Sequence, residues 1–174
     1  MSDAGSKTGV TAGITQLPSF DSLGNIPAGD YHPTKAEFEA RFVDVPGSST
    51  RHVIYSGYQK HCADLGAAGV SSDARSLLDG SFTTSKTDPG DIDLVVEVEE
   101  RAYLNSRRVQ TLLSGPGAKP DYYCDAYPLL VLDTNHPDYD RVTRSGRDYW
   151  RKWFGTDRKG NPKGRVWSTV GGSP

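Results

Sequence analysis

Two acidic residues one apart, Asp91 and Asp93 in "DIDLVV", follow Gly80 and Ser81 after nine intervening residues. In an extended segment alternate side chains share a face, so these carboxylates stand side by side with Cα atoms roughly 6 to 7 Å apart. Ile92 and Leu94 then turn to the opposite, apolar face. Two ionised carboxylates brought to about 4 Å repel by roughly 4 kcal/mol at an effective dielectric near 20. A divalent cation between them reverses that cost, and oxygen-only ligands suit Mg²⁺ or Mn²⁺. Gly80 would let the backbone approach a phosphate closely, and the Ser81 hydroxyl and amide could donate to its oxygens. The plain alternative for the Gly-Ser pair is an ordinary turn.

A third acid lies further along. In "DYYCDAYPLLVL", strand alternation puts Tyr123, Asp125 and Tyr127 on one face, opposite Cys124 and Ala126. If this strand lies beside "DIDLVV", three acids converge, the number that holds two cations about 3.5 to 4 Å apart for in-line phosphoryl transfer. Taken without the upstream motif, Asp125 reads better as a solvated strand residue. Lys86, in the loop between Ser81 and Asp91, can reach a triphosphate or simply be solvated.

The elements that must position these residues alternate in type. "IPAGDYHPTKAEFEARFV" places Thr34 as a helix N-cap with Glu37 three residues on, then Phe38 and Phe42 on one face. Val53, Ile54, Tyr58, Cys62 and Leu65 follow helical spacing over residues 49 to 65, before Gly66 and Gly69. "ARSLLDGSF" predicts a strand ending at Gly80 and "DIDLVVEV" a central strand, joined by the turn-rich "TTSKTDPG". Residues 99 to 113 predict one helix with Leu104, Val109, Leu112 and Leu113 inward, and "DYYCDAYPLLVL" a third strand. "YDRVTRSGRDYWRKWF" reads as a helix despite Gly146, and "KGRVW" as a last short strand. The fold class is α+β, with a mixed sheet.

At 174 residues and mean hydropathy -0.58 the chain suits one domain over residues 26 to 170, preceded by a Gly-, Ser- and Thr-rich leader over residues 1 to 25. The leader lacks the features of a signal peptide, and no run approaches the roughly 20 apolar residues of a membrane span. Two cysteines, Cys62 and Cys124, suggest a reduced, cytoplasmic setting rather than a disulfide framework. His32, His52, His61 and His136 show no paired metal-ligand spacing.

Charge is uneven. Residues 141 to 165 hold nine Lys and Arg against two Asp, a local +7 in a chain of net charge -2, so the rest carries -9. Such asymmetry suggests a polyanionic ligand, although charge runs are more often solvated faces. Arg147, Arg151, Lys152 and Lys163 could meet a triphosphate or an RNA backbone, and Trp150 and Trp153 could stack on a base, with core packing the favoured role for the tryptophans.

Gly80-Ser81, a nine-residue spacer and Asp91-Ile92-Asp93-Leu94 together resemble the signature of the DNA polymerase beta nucleotidyltransferase superfamily. The flanking segments "IPAGDYHPTKAEFEARF", "DGSFTTSKTDPGDIDLVV" and "YWRKWFGTDRKGNPKG" resemble a family of small, stand-alone nucleotidyltransferase-like bacterial and phage proteins over roughly residues 26 to 167. Asp79 departs from the superfamily pattern, which has an apolar residue before the glycine.

The resemblance implies a minimal nucleotidyltransferase fold, a short mixed sheet packed against helices. It carries Gly80 and Ser81 over as contacts to the β- and γ-phosphates of an NTP, and Asp91, Asp93 and Asp125 as catalytic ligands of Mg²⁺ or Mn²⁺. The expected reaction moves a nucleoside monophosphate from the NTP to a hydroxyl of RNA such as tRNA, of a protein or of a small molecule, with expulsion of pyrophosphate. It also implies a toxin or defence role, with an antitoxin or other protein partner and no membrane. Rival readings are a non-catalytic nucleotide- or protein-binding module on the same fold, and a metal-dependent nuclease or glycosyltransferase, which also use an acid-x-acid pair. Gly80-Ser81 at this spacing favours the transferase, and three crowded acids have no purpose in a binding module.

Overall fold

The computed structural model describes residues 16–172. A two-residue strand, β1 (Asp30–Tyr31), leads into α1 (Lys35–Phe38), which widens into a π-helical turn over Glu39–Val43. The expected capping box is formed. The Glu37 N–H donates to Thr34 Oγ1 at 3.3 Å, and the Thr34 N–H donates to the Glu37 carboxylate at 2.9 Å. Phe38 and Phe42 are both fully buried, edge to face with centroids 5.1 Å apart. Next comes α2 (Arg51–Ala67), in which Ile54, Tyr58 and Leu65 are buried as their spacing requires, whereas Val53 is exposed.

Strand β2 (Arg75–Asp79) and strand β3 (Ile92–Glu99) run antiparallel, linked by a 3₁₀ turn over Ser81–Thr83 and a loop. The single helix expected over residues 99 to 113 is two: α3 (Glu100–Leu104) and α4 (Arg107–Leu112). Ser106 breaks the run because its hydroxyl accepts from the Val109 N–H and starts a new helix. Leu104 is consequently exposed, while Val109, Leu112 and Leu113 are buried. The third expected strand begins later than its sequence pattern suggested. Residues Lys119–Tyr122 form a helical turn, α5, and Tyr123 adopts a left-handed φ of 55° that turns the chain into β4 (Cys124–Val131). A π-helical turn over Asp140–Arg144 then continues into α6 (Ser145–Trp153), and β5 (Arg165–Thr169) closes the sheet.

The strand order is β1-β5-β2-β3-β4, with β1/β5 and β3/β4 parallel and the other pairs antiparallel. One face carries the main core, where Leu78, Ile92, Leu94, Val96, Ala126 and Val166 meet the apolar sides of α1, α2 and α4. The other face carries a smaller cluster, Leu77, Val95, Leu129 and Trp167, covered by Phe154 and Trp150 at the end of α6. Val95 is thus apolar on the same face as Asp93, and the acids occupy one end of that second face. Part of the expected leader belongs to the domain: Leu17 and Asn25 are buried, and Arg41 donates to the Pro18 carbonyl at 2.5 Å. Residues 1 to 15 of the leader lie outside the described residues. No helix among the described residues is long and apolar enough to cross a membrane.

The buried Arg51 ties these parts together. Its side chain is fully buried, and its five N–H groups donate to five backbone carbonyls: Phe42 at 2.5 Å, Phe82 at 2.7 Å, Thr84 at 2.9 Å, Lys86 at 2.6 Å and Thr87 at 3.2 Å. Burial lowers its pKa to about 10, so it remains a cation at neutral pH. Asp88 clamps the same loop from outside, accepting from the Ser49 N–H at 2.7 Å. Replacing Arg51 by Met would leave these carbonyls without donors, at about 1–3 kcal/mol for each one that water cannot reach. Urea unfolding should therefore show Arg51→Met destabilised by at least ~3 kcal/mol. Arg51→Lys, with three donors for five carbonyls, should recover less than half of that loss.

Candidate active site

Strand register decides where the acids go. Asp93 is the Cα partner of Asp79 across β2/β3 and of Asp125 across β3/β4. Directly paired residues on neighbouring strands point to the same face, and strands lie about 4.8 Å apart. Asp79, Asp93 and Asp125 therefore form one row across three strands, and Asp91 stands just before β3 beside it. The structure lays β4 beside "DIDLVV", the condition on which the approach of Asp125 to Asp91 and Asp93 depended. It adds Asp79, which by sequence was only a departure from the superfamily pattern.

Crowding shows in the proton affinities. Burial, then the charges of Asp91, Asp79 and Asp125, push Asp93 up to about 6. Burial also raises Asp125, with Lys119 opposing and Asp91 adding to the rise. Burial raises Asp79 against the pull of Lys163. One carboxylate oxygen of Asp125, Oδ1, is buried with no hydrogen-bond partner among the described residues.

Two lysines flank the row. Lys163, itself buried, donates to Asp79 Oδ1 at 2.5 Å and to the Gly80 carbonyl at 2.7 Å. Lys119 of α5 forms an ion pair with Asp91. Lys163, one of four cations of the basic segment that could meet a triphosphate or an RNA backbone, is committed to Asp79 and holds the Gly80 turn in place. Lys119 carries no sequence signal of its own; it reaches Asp91 because α5 and the left-handed Tyr123 fold back beside the start of β3, where the Ile92 N–H donates to the Tyr123 carbonyl at 3.0 Å. Among the remaining candidates, Arg147 is bound to Glu97 at 3.0 and 2.9 Å, and Lys86 is exposed in the loop that Arg51 holds.

Gly80 closes the site. Its φ is 78°, in the region that favours glycine, and a Cβ there would overlap the Asp93 carboxylate. The Gly80-Ser81 turn thus lies against the central acid of the row, with half-buried Ser81 the first residue beyond it. The cavities of about 450 and 510 Å³ lie elsewhere, beside α2 and beside Glu97, while the acids of the row are half-buried or buried.

The donor set is all oxygen, and the orphaned Asp125 Oδ1 and the strained ionisation of Asp93 both fit a divalent cation. As they stand, no three His, Cys, Asp or Glu side chains among the described residues form a ready-made metal cage, and Asp91 is turned to Lys119. The cysteines do not compete as nucleophiles: both are free, and burial raises the Cys124 thiol and lifts Cys62 to about 11.

A family model described as a family of unknown function, DUF6932, matches residues 18–168. Comparison with curated proteins gives no match, nor does comparison with solved structures.

Asp93 provides a pH test. In metal-free buffer its folded-state pKa near 6 lies above the ordinary 3.8, so ionisation costs stability as pH rises through 4 to 6, with the full cost present above 6. Asp93→Asn should stabilise the metal-free protein by about 1–3 kcal/mol at pH 8. At pH 3.5 the gain should vanish. Urea unfolding at the two pH values measures both.

Proposed function

The chain belongs to the DUF6932 family, and for this member we propose a metal-dependent nucleotidyltransferase that moves a nucleoside monophosphate from an NTP to an acceptor hydroxyl. One observation carries the reading: Asp93 and Asp125 are register partners on parallel strands, with the glycine turn of Gly80-Ser81 pressed against Asp93. Asp93 and Asp125, joined by Asp91, would hold Mg²⁺ or Mn²⁺. When bound, the cation would supply positive charge to the triphosphate and acidify the acceptor hydroxyl.

The chain's own groups do the rest. Gly80 and Ser81 bind the phosphate end of the nucleotide, since a residue without Cβ leaves the backbone open to phosphate oxygens beside the acids. Lys163 fixes that turn through the Gly80 carbonyl and keeps Asp79 from adding a further free charge. Asp125 would take the proton of the acceptor hydroxyl, as it attacks, on the carboxylate oxygen not given to the cation. Lys119, paired with Asp91, lies where it would neutralise charge on the departing pyrophosphate were Asp91 to serve as a cation ligand. The free, protonated Cys62 and Cys124 are in keeping with a reduced cytoplasmic setting, and a role as a toxin or defence factor follows from the family resemblance alone.

The Asp91–Lys119 ion pair is the observation that favours a non-catalytic binding module, because a permanent lysine would satisfy Asp91 without metal. Incubation with each α-labelled NTP, Mg²⁺ or Mn²⁺ and total RNA or lysate separates the two readings. Wild type should transfer label, and Asp93→Asn and Asp125→Asn should each lower transfer at least about 100-fold, since several kcal/mol of charge stabilisation is lost. Nucleotide binding by wild type without transfer to any acceptor would leave the binding module.

A further inference from the structure

Helix α6 presents two different sides. Phe154, its C-cap, is buried beside Leu77, Leu129 and Trp167, and Trp150 is half-buried there. On the outer side Tyr149 is 57% and Trp153 63% exposed, stacked with ring planes 9° apart and centroids 6.3 Å apart. Core packing, the role favoured for both tryptophans by sequence, thus holds in part for Trp150 and fails for Trp153. Two adjacent large aromatics in water are costly to keep unless something covers them.

The surroundings indicate what that is. Lys152, Arg158 and Lys159 are exposed on α6 and in the turn after it, and none takes part in an ion pair among the described residues, whereas Arg141 and Arg144 pair with Asp138 and Asp140. The segment 141 to 165 carries the +7 of the chain. Flat rings beside unpaired cations suit a ligand with flat rings on an anionic backbone. The aromatics also lead to the acids. Tyr149 contacts Trp150 and Trp150 contacts Tyr127, each at 5.2 Å between centroids, and Tyr127 lies two residues beyond Asp125 on the same face of β4.

We propose that α6 and the following turn bind single-stranded nucleic acid, with bases stacked on Tyr149 and Trp153 and phosphates on Lys152, Arg158 and Lys159. The strand then runs toward the acid row and presents its hydroxyl there. That last link rests on the transferase reading; the binding does not.

Fluorescence anisotropy with labelled RNA and DNA oligonucleotides of about 12 nucleotides tests the proposal on the full chain. Wild type should bind single strands more tightly than duplexes, with log K falling as log salt rises by about 0.7 per phosphate contacted. Trp153→Ala, an exposed change checked for folding by circular dichroism, should weaken binding about 5- to 100-fold. The triple variant Lys152→Ala, Arg158→Ala, Lys159→Ala should flatten the salt slope. Binding is read on wild type in EDTA without NTP, where no transfer can occur, so failure of binding and failure of catalysis are read separately. Binding unchanged in Trp153→Ala, or no salt-dependent binding at 100 μM protein, overturns the proposal. So does a Trp153-dependent dimer, seen by sedimentation, in a chain that ignores oligonucleotides.

Discussion

The buried guanidinium of Arg51 is the constraint on which the site depends. A loop of polar residues between two central strands has carbonyls that must be satisfied, and at its inner side water is excluded. Arg51 supplies five donors from one rigid plane and so fixes Phe82, Thr84, Lys86 and Thr87 against the end of the π-turn at Phe42. The loop therefore cannot drift, and the Gly80-Ser81 turn at its start keeps its place over Asp93. Among the described residues no carboxylate hydrogen-bonds the guanidinium; its charge is solvated by backbone dipoles, with Asp88 acting from a distance.

The acid row is the opposite case, a charge arrangement the fold does not satisfy by itself. Asp79 has Lys163 and Asp91 has Lys119, but Asp93, at the centre, has acids in register on both sides and a pKa near 6. Structural ion-pair networks pair their charges. A row that leaves its middle member unpaired and an Asp125 oxygen without a partner stores unfavourable energy that a bound cation can relieve. The same face explains why α6 is where it is: its Trp150 and Phe154 cover the apolar middle of the sheet and leave the acidic end open.

Much of this was legible in the sequence because it depends on period and local chemistry. Whereas the parallel pairing of β4 with β3 is set by tertiary packing, the capping box at Thr34 and the alternation that turns Asp91 and Asp93 away from Ile92 and Leu94 follow from short-range pattern. Three other features did not. The break at Ser106 depends on a cap competing with a continuous apolar spacing, and the spacing alone favoured one helix. Arg51 looks like any charged residue at a helix start, since its partners lie nine to thirty-six positions away. Lys119 and Lys163 find their acids only through tertiary contact, Lys163 across 84 positions. The basic segment was visible as charge, but which cations are spent on Glu97, Asp79 or Asp30 and which stay free is a matter of packing.

The central claim is that the row of Asp93 and Asp125 is a cation site for a nucleotide. Crystals grown with Mn²⁺ and a non-hydrolysable NTP analogue test it most directly, through the anomalous signal of manganese. A peak between the Asp93 and Asp125 carboxylates is expected, with the triphosphate against Gly80-Ser81 and the Asp91–Lys119 pair opened. A nucleotide bound elsewhere, or bound at Gly80-Ser81 with no manganese and the Asp91–Lys119 pair intact, would contradict it.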